Sequence, residues 1–279
     1  MPTVDEKRRT FRRLHQTGCF VMPNPWDVGT TRWLQHAGFP ALATTSAGAA
    51  FALGCPDSDR AVGCDVMLAH IATIAQAADV PVNADFGSGY AADPAGVAAN
   101  VRRCVDAGVA GLSIEDSTGD DASPLRDVTV AAERVRAARA AIDSRGADVV
   151  LTARAECFIA GRPDLDDAIR RLRAYAEAGA DCLYAPGIRT RDQIAAVVRA
   201  VAPKPVNVLM GASELTLADL TALGVRRISV GSGLARVAWH AFIAATRTLA
   251  AGRFDGFAST TPHAELNAFF SDDLRRRSS

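Results

Sequence analysis

The reading turns on Val80-Pro-Val-Asn-Ala-Asp85, then Pro94-Ala-Gly-Val-Ala-Ala-Asn-Val-Arg-Arg-Cys-Val-Asp-Ala107 with Gly108, then Gly111-Leu-Ser-Ile-Glu115. The first and last pieces are short, nearly continuous apolar runs that close on an acid. They are too short for helices, and the lack of an alternating polar face marks parallel strands covered on both sides. The middle piece sets Val97, Val101 and Val105 on one helical face. Gly108 follows it, where a left-handed turn costs glycine nothing. The unit is therefore strand, helix, glycine, strand.

Outward from this stretch the unit repeats. Similar runs lie at 19–22, 41–45, 149–153, 182–185, 206–210 and 227–231. Helical faces recur through Ile169, Leu172 and Tyr175, and through Ile194, Val197 and Val201; Gly38, Gly146, Gly179 and Gly224 punctuate. Eight such units imply a closed (β/α)8 TIM barrel rather than an open sheet. No linker divides the chain, so residues 1–258 are expected to form one catalytic barrel domain. Residues 259–279 read as an extra C-terminal helix and tail. Its Leu266, Phe269 and Phe270 call for burial, on a neighbouring subunit.

Composition narrows the function. Lys+Arg 31 balances Asp+Glu 31, which argues against nucleic-acid binding through a basic field. No run of eighteen apolar residues is present, so no membrane span is expected. The polar N-terminus lacks a signal-peptide core, which predicts a cytoplasmic protein. The six cysteines are scattered without a CxxC pair and read as reduced thiols. Lys7 and Lys204 are the only lysines, which leaves few candidates for Schiff-base chemistry.

Barrels of this kind keep their chemistry at the C-terminal ends of the strands. The residues there are Asn24, Trp26 and Asp27; Thr44 to Gly48; Asn83 and Asp85; Glu115 and Asp116; Arg154 and Glu156; Asn207; and Gly231 to Gly233. Several carboxylates at one mouth call for a cation, and oxygen donors suit Mg2+ or Mn2+. Asp85 is the candidate direct ligand, with Asp57 and Glu115 in outer roles. Arg154 is the candidate bidentate partner of a substrate carboxylate or phosphonate. The tight turn Ser46-Ala47-Gly48 offers backbone N–H groups to a carboxylate. Trp26 and Asn207 are further substrate-binding candidates. A purely structural ion pair of Asp85 and Glu115 with Arg154 is the alternative.

The order of these motifs resembles the isocitrate lyase/phosphoenolpyruvate mutase superfamily. The resemblance rests on Asn24-Pro-Trp-Asp27, Thr44-Thr-Ser46, Gly54-Cys-Pro-Asp57, Pro81-Val-Asn-Ala-Asp85, Gly111-Leu-Ser-Ile-Glu115-Asp116, Thr152-Ala-Arg154 and Val225-Arg-Arg-Ile-Ser-Val-Gly231. It spans roughly residues 8 to 252. It implies a Mg2+-dependent lyase that makes or breaks a C–C or C–P bond beside a 2-oxo acid enolate. It implies Ser46 and Gly48 as the carboxylate turn, Asp57, Asp85 and Glu115 as metal-site acids, and Arg154 as the substrate arginine. Arg154 and Glu115 are thus the catalytic candidates. A last helix swapped within a homo-oligomer, a dimer or tetramer, is also implied.

The chain departs from the lyases of that superfamily. Their acid/base loop after the strand-4 acid holds a cysteine, whereas residues 117–126 here contain no Cys, His or Lys. Gly87 and Pro186 stand where relatives carry acids. Asp120, Asp121 and Ser123 are what the loop offers instead. Three readings remain: a lyase or decarboxylase on a small 2-oxo or 2-hydroxy acid, a C–P mutase or hydrolase, and a non-catalytic 2-oxo acid binding barrel.

Overall fold

The computed structural model describes residues 2–278. The chain falls into two compact units, Pro2–Ser232 and the segment from Gly233 onward.

The first unit runs α1 (Val4–Leu14), β1 (Phe20–Met22), α2 (Val28–His36), β2 (Leu42–Ala43), α3 (Ser46–Ala52), α4 (Cys64–Ala77), β3 (Val82–Asp85), α5 (Pro94–Asp106), β4 (Gly111–Glu115), α6 (Val128–Asp143), β5 (Val150–Arg154), α7 (Leu165–Glu177), β6 (Cys182–Tyr184), α8 (Arg191–Val201), β7 (Val206–Leu209), α9 (Leu217–Ala222) and β8 (Arg227–Ser229). All strand pairs are parallel, in the order β1-β8-β7-β6-β5-β4-β3-β2. The Ala43 N–H donates to the Pro23 carbonyl at 3.0 Å and draws the ends of that order together. This is the (β/α)8 TIM barrel that the sequence predicts.

Its strands are buried on both faces, as their unbroken apolar runs require: Leu112, Val150, Leu151 and Ala153 are all fully buried. Val97, Val101 and Val105 of α5 face inward together. Gly108 has φ +88°, the left-handed turn expected of it. Polar caps start the helices; Asp93 accepts from the Gly96 N–H, and Thr190 from the Gln193 N–H.

Helix α1 was not anticipated from its polar, charged sequence. Thr3 and Glu6 form a capping box at its start. Lys7 Nζ donates to the carbonyls of Ala75 and Ala78, and Arg8 to those of Val105 and Val109. Its one fully buried side chain, Phe11, packs with Phe20, Met22, Ala41, Ala110, Val150 and Cys182 at the N-terminal ends of the strands. A Cβ at Gly111 would lie 2.5 Å from the Phe11 ring, so a glycine there makes room for the plug.

The second unit holds α10 (Gly233–Ala250), a 3-10 turn (Asp255–Phe257) and α11 (His263–Ser278). Val237, Trp239 and Phe242 of α10 are exposed, as are Leu266, Phe270 and Leu274 of α11. Among the described residues no helix is long and apolar enough to cross a membrane. All six cysteines are free thiols.

Candidate active site

Strand register gathers the site. Asp85 pairs with Ser113, Glu115 with Arg154, Arg154 with Tyr184, Tyr184 with Asn207, and Asn207 with Arg227. All of these but Glu115 line an open cavity of about 150 Å3 inside the barrel. Ser46, Ala47, Asp57, Asp85, Arg154 and Asn207 line it, together with Tyr184, Arg227 and Ser229.

Arg154 is the hub. Its Nη1 donates to Asp85 Oδ1 at 2.8 Å, its Nε to Glu156 Oε1 at 2.8 Å, and its Nη2 reaches Glu156 Oε2 at 3.2 Å and Glu115 Oε2 at 3.1 Å. Among the described residues Nη1 keeps one hydrogen without a protein acceptor. The Tyr184 ring lies 5.2 Å from the guanidinium carbon. Burial by itself would lower the Arg154 pKa, but Glu156, Glu115 and Asp85 hold it well above the ordinary value. The ion pair that the sequence left as an alternative is therefore formed. A bidentate grip on a substrate anion requires one of these carboxylates to turn aside.

Asp85 is fixed from two further sides. Its Oδ2 accepts from the Ser46 N–H at 3.0 Å, and its own N–H donates to Thr44 Oγ1 at 2.8 Å. The Ser46 side chain lies beside Asp57 and favours its charged form. The Asp57 carboxyl is pushed up by desolvation and then by the neighbouring Asp85. Within the turn, the Gly48 N–H is already taken by Thr45 Oγ1. That leaves Ala47 as the turn residue facing the cavity without such a bond.

The charges do not balance. Three carboxylates face one guanidinium, and burial pushes Glu115 and Glu156 upward while Arg154 pulls them down. A divalent cation would neutralise that surplus. Among the described residues no three His, Cys, Asp or Glu side chains converge closely enough to cage an ion. Mg2+ does not need such a cage, because it keeps several waters and takes one or two carboxylates. Asp85 uses one lone pair on each oxygen and retains others. The donor set therefore fits a hydrated Mg2+ held by Asp85, with Asp57 within reach through water.

Not every candidate converges. Glu115 meets the site through Arg154 and Ser117 Oγ and does not line the cavity; Gly48 and Trp26 do not line it either. Loop 117–126 closes on itself: Thr118 Oγ1 donates to the Ser123 carbonyl at 2.5 Å, and Asp120 accepts from the Ala122 N–H. Asp120 is thus engaged within the loop. Below the loop Asp116 accepts from Tyr175 Oη at 2.6 Å and Arg171 Nη1 at 3.0 Å, a buried brace. Cys157 is buried, its thiol pushed up to about 12, so it is no nucleophile.

Sequence reasoning missed Tyr184, Ser229, Arg227 and Asp59. Asp59 accepts from Ser88 N and Oγ, at 3.1 and 2.7 Å. An arginine inside an otherwise apolar strand, as in Arg227-Ile-Ser229, was the available signal for the second strand layer.

A family model described as phosphoenolpyruvate phosphomutase matches residues 11–250. An oxaloacetate decarboxylase of Bradyrhizobium sp. is 30% identical over 94% of this chain and 91% of its own length. A crystal structure from Burkholderia cenocepacia J2315, assigned only as a lyase/mutase, superposes with a TM-score of 0.90 at 47% identity, covering 96% of each chain. A phosphonopyruvate hydrolase in complex with oxalate and Mg2+ gives a TM-score of 0.84 at 26% identity over 97% of each chain.

Proposed function

The chain belongs to the phosphoenolpyruvate phosphomutase family, within the isocitrate lyase/phosphoenolpyruvate mutase superfamily, and on that premise we propose that it is a Mg2+-dependent carbon–carbon lyase that decarboxylates a small 2-oxo dicarboxylate of the oxaloacetate type. The observation that carries this reading is Asp85, clamped between the Ser46 amide and the Arg154 guanidinium at the mouth of a small cavity that Asp57 also lines.

Asp85 would hold the metal, with Asp57 reaching it through water and Glu115 acting on the site only through Arg154. When bound, Mg2+ polarises the 2-oxo group and stabilises the enolate charge. The Ala47 amide would take an oxygen of the adjacent carboxylate, and the uncommitted Nη1 hydrogen of Arg154 the second anionic group. Loss of CO2 from such an acid requires an electron sink and one proton, but no base. Retro-aldol cleavage also requires a base to deprotonate a hydroxyl, and loop 117–126 has no Cys, His or Lys for that task. This chemistry favours decarboxylation within the family. We further propose that the apolar faces of α10 and α11 bury themselves in a homo-oligomer.

The test is pyruvate formation from oxaloacetate with Mg2+, corrected for the metal-catalysed background, with phosphonopyruvate assayed beside it. Turnover of oxaloacetate at an ordinary enzyme rate is expected. Turnover of phosphonopyruvate alone would overturn the reading in favour of C–P chemistry.

A further inference from the structure

Loop 117–126 has no Cys, His or Lys, and its Asp120 is bonded within the loop, yet an enolate left by C–C cleavage must gain a proton. The second layer of the cavity contains a directed chain of hydrogen bonds from Arg227 to Ser229, beside the phenol of Tyr184. It begins at Arg227, a guanidinium that is 1% exposed. Among the described residues all its partners are neutral: Nε donates to Asn207 Oδ1 at 2.9 Å, Nη2 to Thr152 Oγ1 at 2.9 Å, and Nη1 faces His15 Nε2 at 3.3 Å and Asn83 Oδ1 at 3.5 Å.

A guanidinium only donates, so the Asn207 amide must present its oxygen to Arg227. Its Nδ2 then points the other way and donates to Ser229 Oγ at 3.0 Å. Ser229 accepts there and keeps its own hydroxyl proton. Tyr184 is the next side chain beside Ser229, whose hydroxyl counters the upward push of burial on the phenol. If Ser229 donates to Tyr184 Oη, the Tyr184 proton is left to point into the cavity that all these residues line.

We propose that Tyr184 is the acid that protonates the enolate carbon, and that Arg227, Asn207 and Ser229 are positioning residues that aim its hydroxyl. This rests on the decarboxylase reading. The step balances as follows. The C–C bond pair left by departing CO2 resides in the enolate of pyruvate. That enolate takes the Tyr184 proton at C3, the C3–H bond forms, the ketone re-forms, and the O–H pair stays on Oη as phenolate. Ser229 donates to the phenolate, the flanking Arg154 and Arg227 offset its charge, and water from the open mouth returns the proton. Burial raises the Tyr184 pKa to about 12, so the phenol stays protonated at neutral pH. A carbon acid such as the methyl group of pyruvate is weaker still, so a phenol of this strength suffices to protonate its enolate.

The reverse half of the step gives a test that does not depend on decarboxylation. With Mg2+ in D2O, the wild-type protein is expected to exchange the methyl protons of pyruvate, read by NMR. Tyr184→Phe should lower that exchange at least about 100-fold, in line with loss of one general acid–base group. Its calorimetric affinity for oxalate with Mg2+ should stay within about threefold. Ser229→Ala, which keeps the phenol but removes its donor, should slow exchange by a smaller factor and leave oxalate binding unchanged. Exchange by Tyr184→Phe at the wild-type rate, or no exchange by the wild-type protein, would overturn the proposal. Exchange that depends on Tyr184 without any decarboxylation of 2-oxo dicarboxylates would leave it standing and remove the decarboxylase reading instead.

Discussion

Asp59 occupies the space that any side chain on Gly87 would need. A Cβ built on Gly87 collides with Asp59 Oδ1, while Ser88 N and Oγ both donate to Asp59 Oδ2. The chain thus carries an acid beside β3 from a different loop, where the resemblance leads one to expect an acid on the strand end itself. Gly87 also has φ +49°, which disfavours a side chain independently.

Gly87→Asp should therefore destabilise the fold by about 1–3 kcal/mol, through overpacking and strain. Adding Asp59→Gly should recover part of that loss by vacating the space. Chemical denaturation of the two variants checks this. A single variant as stable as the parent would show that Asp59 swings away freely.

Removing the Asp85 carboxylate takes away the proposed metal ligand and one partner of Arg154. Asp85→Ala should abolish Mg2+ binding in a calorimetric titration, and turnover with it. Asp57→Asn should weaken Mg2+ less, because its contact runs through water. Unchanged Mg2+ affinity in Asp85→Ala would refute the assignment.

Arg154→Lys keeps the charge and loses the planar fork that spans Asp85, Glu115 and Glu156. Affinity for oxaloacetate-like dianions should fall by tenfold or more, and affinity for pyruvate by less, since pyruvate lacks the second anion. Equal losses for the two ligands would show that Arg154 does not read that group.

His15 gives a pH signature. Its Nδ1 lies 2.8 Å from the Phe11 carbonyl, so it carries the proton, and Nε2 turns a lone pair to Arg227. Burial, then Arg227, push its pKa from 6.5 down to about 3. A depressed histidine binds its proton sooner when unfolded. Its contribution to stability is thus present above pH 6.5 and drains away as pH falls toward about 3, at up to about 1.4 kcal/mol per unit. His15→Gln keeps an acceptor for Arg227 and does not titrate. Its urea midpoints between pH 6.5 and 4 should vary less than those of the parent; the same slope in both would remove His15 as the cause.

The exposed apolar residues of α10, α11 and the segment between them, with Phe254 at 70% and Val237 at 67% exposure, predict self-association. Fully burying one such side chain contributes about 1.5–3 kcal/mol. Light scattering at micromolar concentration should report a dimer or larger. Val237→Lys with Phe242→Lys should shift the population toward monomer, and a monomeric parent would refute the proposal.

The barrel was legible because parallel strands buried on both faces announce themselves by composition, as in Gly111-Leu-Ser-Ile. The acids and the arginine were legible because chemistry in such a fold collects just past each strand. The layer linking Arg154, Tyr184, Asn207 and Arg227 was not, since register between strands is written in no single strand. The turn of Glu156 back onto Arg154 is likewise a tertiary fact. Helix α1 was missed because one phenylalanine in a charged segment carries its burial, although Thr3 and Glu6 already spelled a cap.

Phe11 seals the N-terminal end of the barrel axis. A reactant that enters at the mouth has its products leave by the same doorway. The smaller fragment, formed farther from the Ala47 turn, must slip past whatever stays bound there. For the proposed decarboxylation, release would then be sequential, with the 2-oxo acid leaving last; pyruvate should inhibit competitively against substrate while dissolved CO2 does not.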